Sequence, residues 1–290
     1  MLLRSTLSLP VVLLLAGCSA RAGRPAATSS ATAATSATAV APAADATPRH
    51  VTFTLASRAT NEPRVINVYT PPGYERERGT AYPVVYMPDG GMEEDFPHIA
   101  NTIDSLIALR EIAPVLVVGI ENTERRRDMT GPTTVASDST IAPRVGGSAA
   151  FRRFIRDELM PEIGRRYRVT DETTIVGESL VGLFIVETFL HEPALFRRYI
   201  ALDPSVWWNG GELVRTAQQR LGGLAGLERT LFLTTSREPS TAEGTAALAA
   251  MLRAQAPAGL TLYHEPRPDL EHGTIYRAAI PAAFVKVLGR

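Results

Sequence analysis

The chain has a single cysteine in its 290 residues, Cys18, so no disulfide can form within it. It has no surplus of either charge, since 30 Lys plus Arg balance 30 Asp plus Glu. That balance argues against a nucleic-acid partner and against a polybasic membrane surface. The apolar run at residues 9–15 is too short to cross a bilayer as a helix. No internal repeat is visible. Glu93, Glu94, Asp95 and His98 are rich in ligating atoms but lack a recognised metal spacing, so they read as a solvated loop, with no metal and no cofactor expected.

What is present begins with an export pattern. Arg4 precedes the apolar run, which ends in Leu15-Ala16-Gly17-Cys18. This resembles the lipobox of bacterial lipoproteins, in which small residues precede a cysteine that is lipidated and becomes the new N-terminus. The resemblance implies a signal peptide over residues 1–17 and lipidation at Cys18, and Ser19 implies an outer-membrane destination facing the periplasm. Membrane contact is then expected through the lipid anchor alone. Residues 18–47 are rich in Ala, Thr, Ser and Pro, a composition that buries too little apolar surface to offset its ordering entropy, and read as a flexible tether. Residues 48–290 suit one domain, and a hydrophobic fraction of 45% gives it material for a core.

Short β-branched runs alternate with helical patterns through that domain. Strands are expected at residues 51–55, 65–69, 82–87, 114–120, 173–176, 199–202, 230–235 and 260–264. Helices are expected at 99–109, 149–162, 179–191, 211–221, 241–255 and 275–287, with a long polar connection at 121–147. Such alternation implies an α/β fold, a mostly parallel central sheet with helices on both faces.

The chemistry is expected at Gly177-Glu178-Ser179-Leu180-Val181-Gly182, where a buried strand runs into a buried helix. A sharp turn there pushes the Ser179 side chain into the open, with small neighbours relieving the crowding. A serine hydroxyl attacks only when a base takes its proton. Of the five histidines, His272 lies in the loop after the last expected strand, followed by Gly273, and is the expected base.

The segments Arg64-Val65-Ile66-Asn67-Val68-Tyr69, Tyr82-Pro83-Val84-Val85-Tyr86-Met87-Pro88-Asp89-Gly90-Gly91 and Val118-Gly119-Ile120-Glu121-Asn122-Thr123 with Arg127-Asp128 come first in chain order. The serine turn, Pro204-Ser205-Val206-Trp207-Trp208 and Glu271-His272-Gly273-Thr274 follow. Together they resemble the esterase branch of the α/β-hydrolases that contains siderophore (trilactone) esterases, S-formylglutathione hydrolase, feruloyl and acetylxylan esterases and mycolyltransferases. The tandem tryptophan segment is most similar to the siderophore-esterase-like members. The resemblance implies the α/β-hydrolase fold. Val181 departs from the pattern, which places glycine two residues after the serine, and its β-branched side chain must find room.

Acyl transfer needs donors aimed at the developing oxyanion. The fold supplies the N–H of Leu180, and the turn after the strand at 82–87 offers Gly91, with Gly90 next to it. The orienting acid is expected at Glu238, after the strand at 230–235, with Asp203 as the alternative and a serine–histidine dyad as a third arrangement. Arg126 and Arg127 could receive an anionic ligand, and Trp207 and Trp208 could wall an acyl or aromatic pocket. The expected function is hydrolysis of a small-molecule carboxylic ester through an acyl-serine intermediate. Alternatives are a feruloyl or acetyl carbohydrate esterase, an acyltransferase, or a catalytically weakened ligand-binding lipoprotein.

Overall fold

The structure, a computed structural model, describes residues 47–289. The expected signal peptide, Cys18 and nearly all of the tether lie outside the described residues. Eight strands form one sheet in the order β1-β2-β4-β3-β5-β6-β7-β8. The first two, β1 (His50–Ser57) and β2 (Glu62–Tyr69), form an antiparallel hairpin, and β2 also runs antiparallel to β4 (Leu116–Ile120). From there β3 (Tyr82–Pro88), β5 (Val169–Glu178), β6 (Arg198–Leu202), β7 (Arg229–Thr234) and β8 (Leu260–His264) continue in parallel.

The central strands read as unbroken apolar runs because both faces are covered. Along β3, Val84 and Tyr86 join the core on one face while Val85 and Met87 join the core on the other, the two-residue period of a strand. The first face carries α6 (Leu180–His191), in which every residue except Glu187 and His191 is buried, and α8 (Pro239–Gln255). The second carries α1 (Phe96–Ala108) and α9 (His272–Leu288). Parallel strands place their C-terminal ends along one edge, where open α/β sheets gather functional groups. Asp89, Ser179, Asp203 and Ser236 all lie just past such ends.

Several elements differ from the periodicity reading. The helix expected at 149–162 is α4 (Ser148–Phe154), a π turn (Ile155–Leu159) and α5 (Met160–Arg166) in succession. Pro161 has no N–H to give and its ring crowds the preceding carbonyls, which the wider turn just before it accommodates. The polar connection at 121–147 holds two short helices, α2 (Arg125–Met129) and α3 (Asp138–Ile141). The helix expected at 211–221 becomes α7 (Trp208–Thr216) followed by a 3-10 stretch (Ala217–Leu224). Asn209, Gly210 and Gly211 are left-handed within α7, so its regular part starts after the glycines. The closing helix begins earlier than expected, with His272 as its first residue and a capping box between Glu271 and Thr274.

Candidate active site

Ser179 sits between β5 and α6 with φ 61° and ψ −118°, a conformation that an L-residue adopts only under constraint. The constraint is visible on both sides of the turn. Ser179 donates its N–H to the Leu202 carbonyl at 3.0 Å and accepts the Ser205 N–H at 3.1 Å, so β6 and the segment after it hold the turn. A Cβ on Gly182 would lie 2.9 Å from Pro204 Cα, so here the close approach to β6 falls on Gly182. Val181 is fully buried, and its Cγ1 would lie 2.1 Å from a Cβ on Gly177. The glycine two residues before the serine therefore makes the room that the β-branched side chain two residues after it requires.

His272 brings its ring to this turn from the start of α9. Its Nε2 lies 3.1 Å from Ser179 Oγ and its Nδ1 lies 2.6 Å from Asp203 Oδ2. Asp203 is fully buried, with φ 46°, a left-handed backbone that aspartate tolerates better than most residues. Its Oδ1 accepts the Ser236 N–H at 2.9 Å and the Thr241 hydroxyl at 2.6 Å, and its Oδ2 accepts the Ser236 hydroxyl at 2.7 Å. Burial pushes this carboxyl up, but the hydrogen bonds from His272, Thr241 and Ser236 outweigh it and leave the group below its ordinary value. The bond to Asp203 raises His272; burial opposes this and the nearby Glu178 charge adds to it.

The expected acid was Glu238, and the structure gives a different partner for His272. Glu238 caps the start of α8 as an exposed residue, with an oxygen 3.3 Å from the Ser240 hydroxyl. The carboxylate bonded to the imidazole follows β6, one strand earlier. Its sign in the sequence is an apolar strand that ends in an aspartate directly before a proline, Leu202-Asp203-Pro204.

Of the expected oxyanion donors, the Leu180 N–H is at the N-terminus of α6 and makes no hydrogen bond among the described residues. The Gly91 N–H is already engaged, donating to Glu94 Oε2 at 2.7 Å. Gly90 donates to the Ile120 carbonyl at 3.0 Å, and a Cβ there would lie 2.3 Å from Gly119 Cα, so this glycine serves strand packing.

Arg127, expected to meet an anionic ligand, is spent within the fold. Its guanidinium bonds Asp128 at 2.7 Å and also Glu62, and both acids pair with the buried Arg64. Arg126 is exposed and makes no ion pair among the described residues. The arginine that faces the site is Arg125, whose Nε and Nη2 meet the two oxygens of Asp89 at 2.7 Å each. Trp208 is buried and donates Nε1–H to the Gly131 carbonyl at 3.1 Å. It lines a cavity of about 320 Å³ together with Leu183, Glu187, Leu213 and Pro132. Leu183 is one helical turn past Ser179, but Ser179, His272 and Asp203 do not line this cavity. Trp207 packs on Trp208 with ring centroids 6.2 Å apart and does not line that cavity.

Glu178, Asp203 and His272 each offer an atom within 4.8 Å of the others, a spacing that could hold a cation. Asp203 and His272 are, however, already bonded to one another, and His272 is bonded in turn to Ser179. That wiring is the one a proton relay needs.

The family model described as "Putative esterase" matches residues 57–265. The chain belongs to this esterase family. It is 31% identical over 169 residues to the ferri-bacillibactin esterase BesA of Bacillus subtilis (strain 168), a stretch covering 51% of this chain and 56% of that protein. The aligned region thus spans little more than half of that curated relative. An IroE-like serine hydrolase from Shewanella oneidensis superposes with a TM-score of 0.76 at 27% identity, over 82% of this chain and 79% of its own. Siderophore hydrolase EstA from Aspergillus nidulans shares the fold, with a TM-score of 0.73 at 20% identity over 82% of this chain and 94% of its own. The α/β-hydrolase reading of the sequence thus stands, with siderophore esterases among the family relatives.

Proposed function

We propose that the protein hydrolyses a small-molecule carboxylic ester through an acyl intermediate on Ser179. The observation that carries this reading is the continuous line from Ser179 Oγ to His272 Nε2 at 3.1 Å and from His272 Nδ1 to Asp203 Oδ2 at 2.6 Å. In that line the serine O–H donates to a neutral imidazole, whose Nδ1–H donates to the buried carboxylate. Attack of Oγ on the ester carbonyl transfers the serine proton to Nε2. The imidazolium so formed is stabilised by Asp203 and then protonates the departing alcohol. Water repeats the sequence to free the acid and regenerate the serine.

The Leu180 N–H at the head of α6 is suited to the oxyanion, where a preorganised donor typically contributes about 3–4 kcal/mol to the transition state. Gly91 would serve as the second donor only by sharing or exchanging the bond it makes with Glu94. Glutamate side chains move by rotation about single bonds, so such an exchange needs no backbone rearrangement.

For the substrate class, the relatives support an ester of the siderophore type. The test is hydrolysis by the purified residues 48–290 of p-nitrophenyl acetate, feruloyl and acetyl sugar esters, and ferric and iron-free enterobactin, with Ser179→Ala as control. Turnover of the trilactone above the sugar esters supports the siderophore reading. Preference for feruloyl or acetyl sugar esters would replace it with the carbohydrate-esterase alternative. We further propose that the chain is exported and lipid-anchored through Cys18, on the strength of Leu15-Ala16-Gly17-Cys18.

A further inference from the structure

We propose that Glu178 is a positioning residue that competes with Ser179 for His272 Nε2, so that the base is released to the serine only when both the glutamate and the imidazole have lost their protons. The inference rests on the serine-esterase reading above and concerns the residue directly before the nucleophile, which that mechanism leaves idle.

The geometry sets up the competition. Glu178 Oε1 lies 3.3 Å from His272 Nε2, nearly the 3.1 Å that separates Nε2 from Ser179 Oγ. Glu178 Oε1 is buried and has no hydrogen-bond partner, while its side chain is only 19% exposed. A buried carboxylate oxygen left without a donor is costly, and here the available donor is the imidazole. Nε2 has one lone pair when neutral and one N–H when charged, so it can serve one of its two neighbours at a time.

The charged and titratable groups facing Glu178 come from four elements. They are His272 and Tyr276 of α9, Asp203 after β6, Asp89 after β3 and Arg125 of α2. Burial drives the Glu178 carboxyl up to about 7, with His272 and Arg125 opposing and Asp203 and Asp89 adding to the rise. Arg125 is tied to Asp89 through both guanidinium contacts, so it is a poor rescuer of the Glu178 charge.

The proton balance then has three states. With two protons on the pair, His272 is an imidazolium and cannot accept from serine. With one proton, it resides either on Glu178, whose O–H donates to Nε2, or on Nε2, whose N–H donates to the carboxylate; in both forms the lone pair is unavailable. With none, Nε2 is free and accepts the Ser179 O–H. The two groups titrate as one coupled pair, and its apparent values belong to the pair.

The test is the pH dependence of kcat/KM for p-nitrophenyl acetate, which has no titrating group over the relevant range. On the acid limb, wild type should show a logarithmic slope approaching two, because two protons must leave. Glu178→Leu should show a slope of one and a limb moved to lower pH, because the charge that raises His272 is gone and no donor replaces it. Thermal melting of the variant, within a few degrees of wild type, would establish that it folds. A wild-type slope of one, or a slope near two that persists in Glu178→Leu, would overturn the inference, and the wild-type arm decides even if the variant does not fold. Ser179→Ala separates the two readings. If Ser179→Ala is inactive and the slope is one, only the role of Glu178 fails. If Ser179→Ala turns over normally, the serine reading fails and this inference with it.

Discussion

Val181 Cγ1 fills the space that a Cβ on Gly177 would occupy, with only 2.1 Å between them. The pair explains how a serine turn tolerates a β-branched residue where glycine is usual: the crowding is relieved across the turn from strand to helix. Gly177→Ala should therefore damage the site by more than the ~1–3 kcal/mol typical of an overpacked core. Activity should return in part in Gly177→Ala/Val181→Gly, where the obstructing side chain is gone. A double-mutant cycle on melting temperature and kcat checks this, and additive losses would show that the two residues do not compete for one space.

The partner of His272 leads to the second expectation. Asp203→Asn should lower kcat on the order of 10³- to 10⁴-fold, because the amide favours the wrong imidazole tautomer. Glu238→Gln should cost less than about tenfold, under roughly 1.4 kcal/mol of barrier. The sign of the pH effect is fixed by the same contact. Asp203 holds the His272 value above normal, and turnover needs the neutral imidazole, so wild-type activity falls as pH drops through that raised value. In Asp203→Asn the residual activity should persist to lower pH than in wild type. Steady-state kinetics of both variants across the acid limb measure both effects.

The order of strands and helices was legible because the core strands are apolar on both faces and the helices are long enough to show their period. The pairing of Ser179 with His272 was legible from position alone, one at a strand-to-helix junction and the other just past the last strand. The acid was less legible. Asp203 and Glu238 both follow parallel strands at the same sheet edge, and choosing between them requires the left-handed backbone at Asp203 and the donors from Ser236 and Thr241. Glu94 on the Gly91 N–H was also out of reach, since sequence does not say which buried N–H a nearby carboxylate takes. In the run Arg125-Arg126-Arg127, three identical side chains point to three different fates, decided by Asp89, solvent, and the Glu62–Asp128 pair.

Those fates are separable by mutation. Arg127→Ala removes hydrogen bonds between charged groups next to the buried Asp128, a loss of about 1.5–3 kcal/mol. For a domain of this size that corresponds to a drop in Tm of roughly 3–12 °C. Arg126→Ala should leave Tm within about 2 °C, since exposed positions contribute little. Differential scanning calorimetry of the two variants distinguishes them. Equal, small shifts would mean that the Arg127 network does not hold α2 to β2.

The proposed anchor gives an expectation for the region before the domain. Wild type expressed with its own leader should fractionate with membranes and take up a labelled fatty acid, and Cys18→Ala should do neither. Equal recovery of both as soluble protein would remove the anchor from the account.

The central claim is that Ser179 is the nucleophile, and covalent trapping tests it most directly. Purified protein should be treated with a fluorophosphonate and the modified peptide identified by mass spectrometry. A single adduct on Ser179 is expected, absent in Ser179→Ala and slowed strongly in Asp203→Asn. An adduct on another residue, or labelling undiminished in Ser179→Ala, would contradict it.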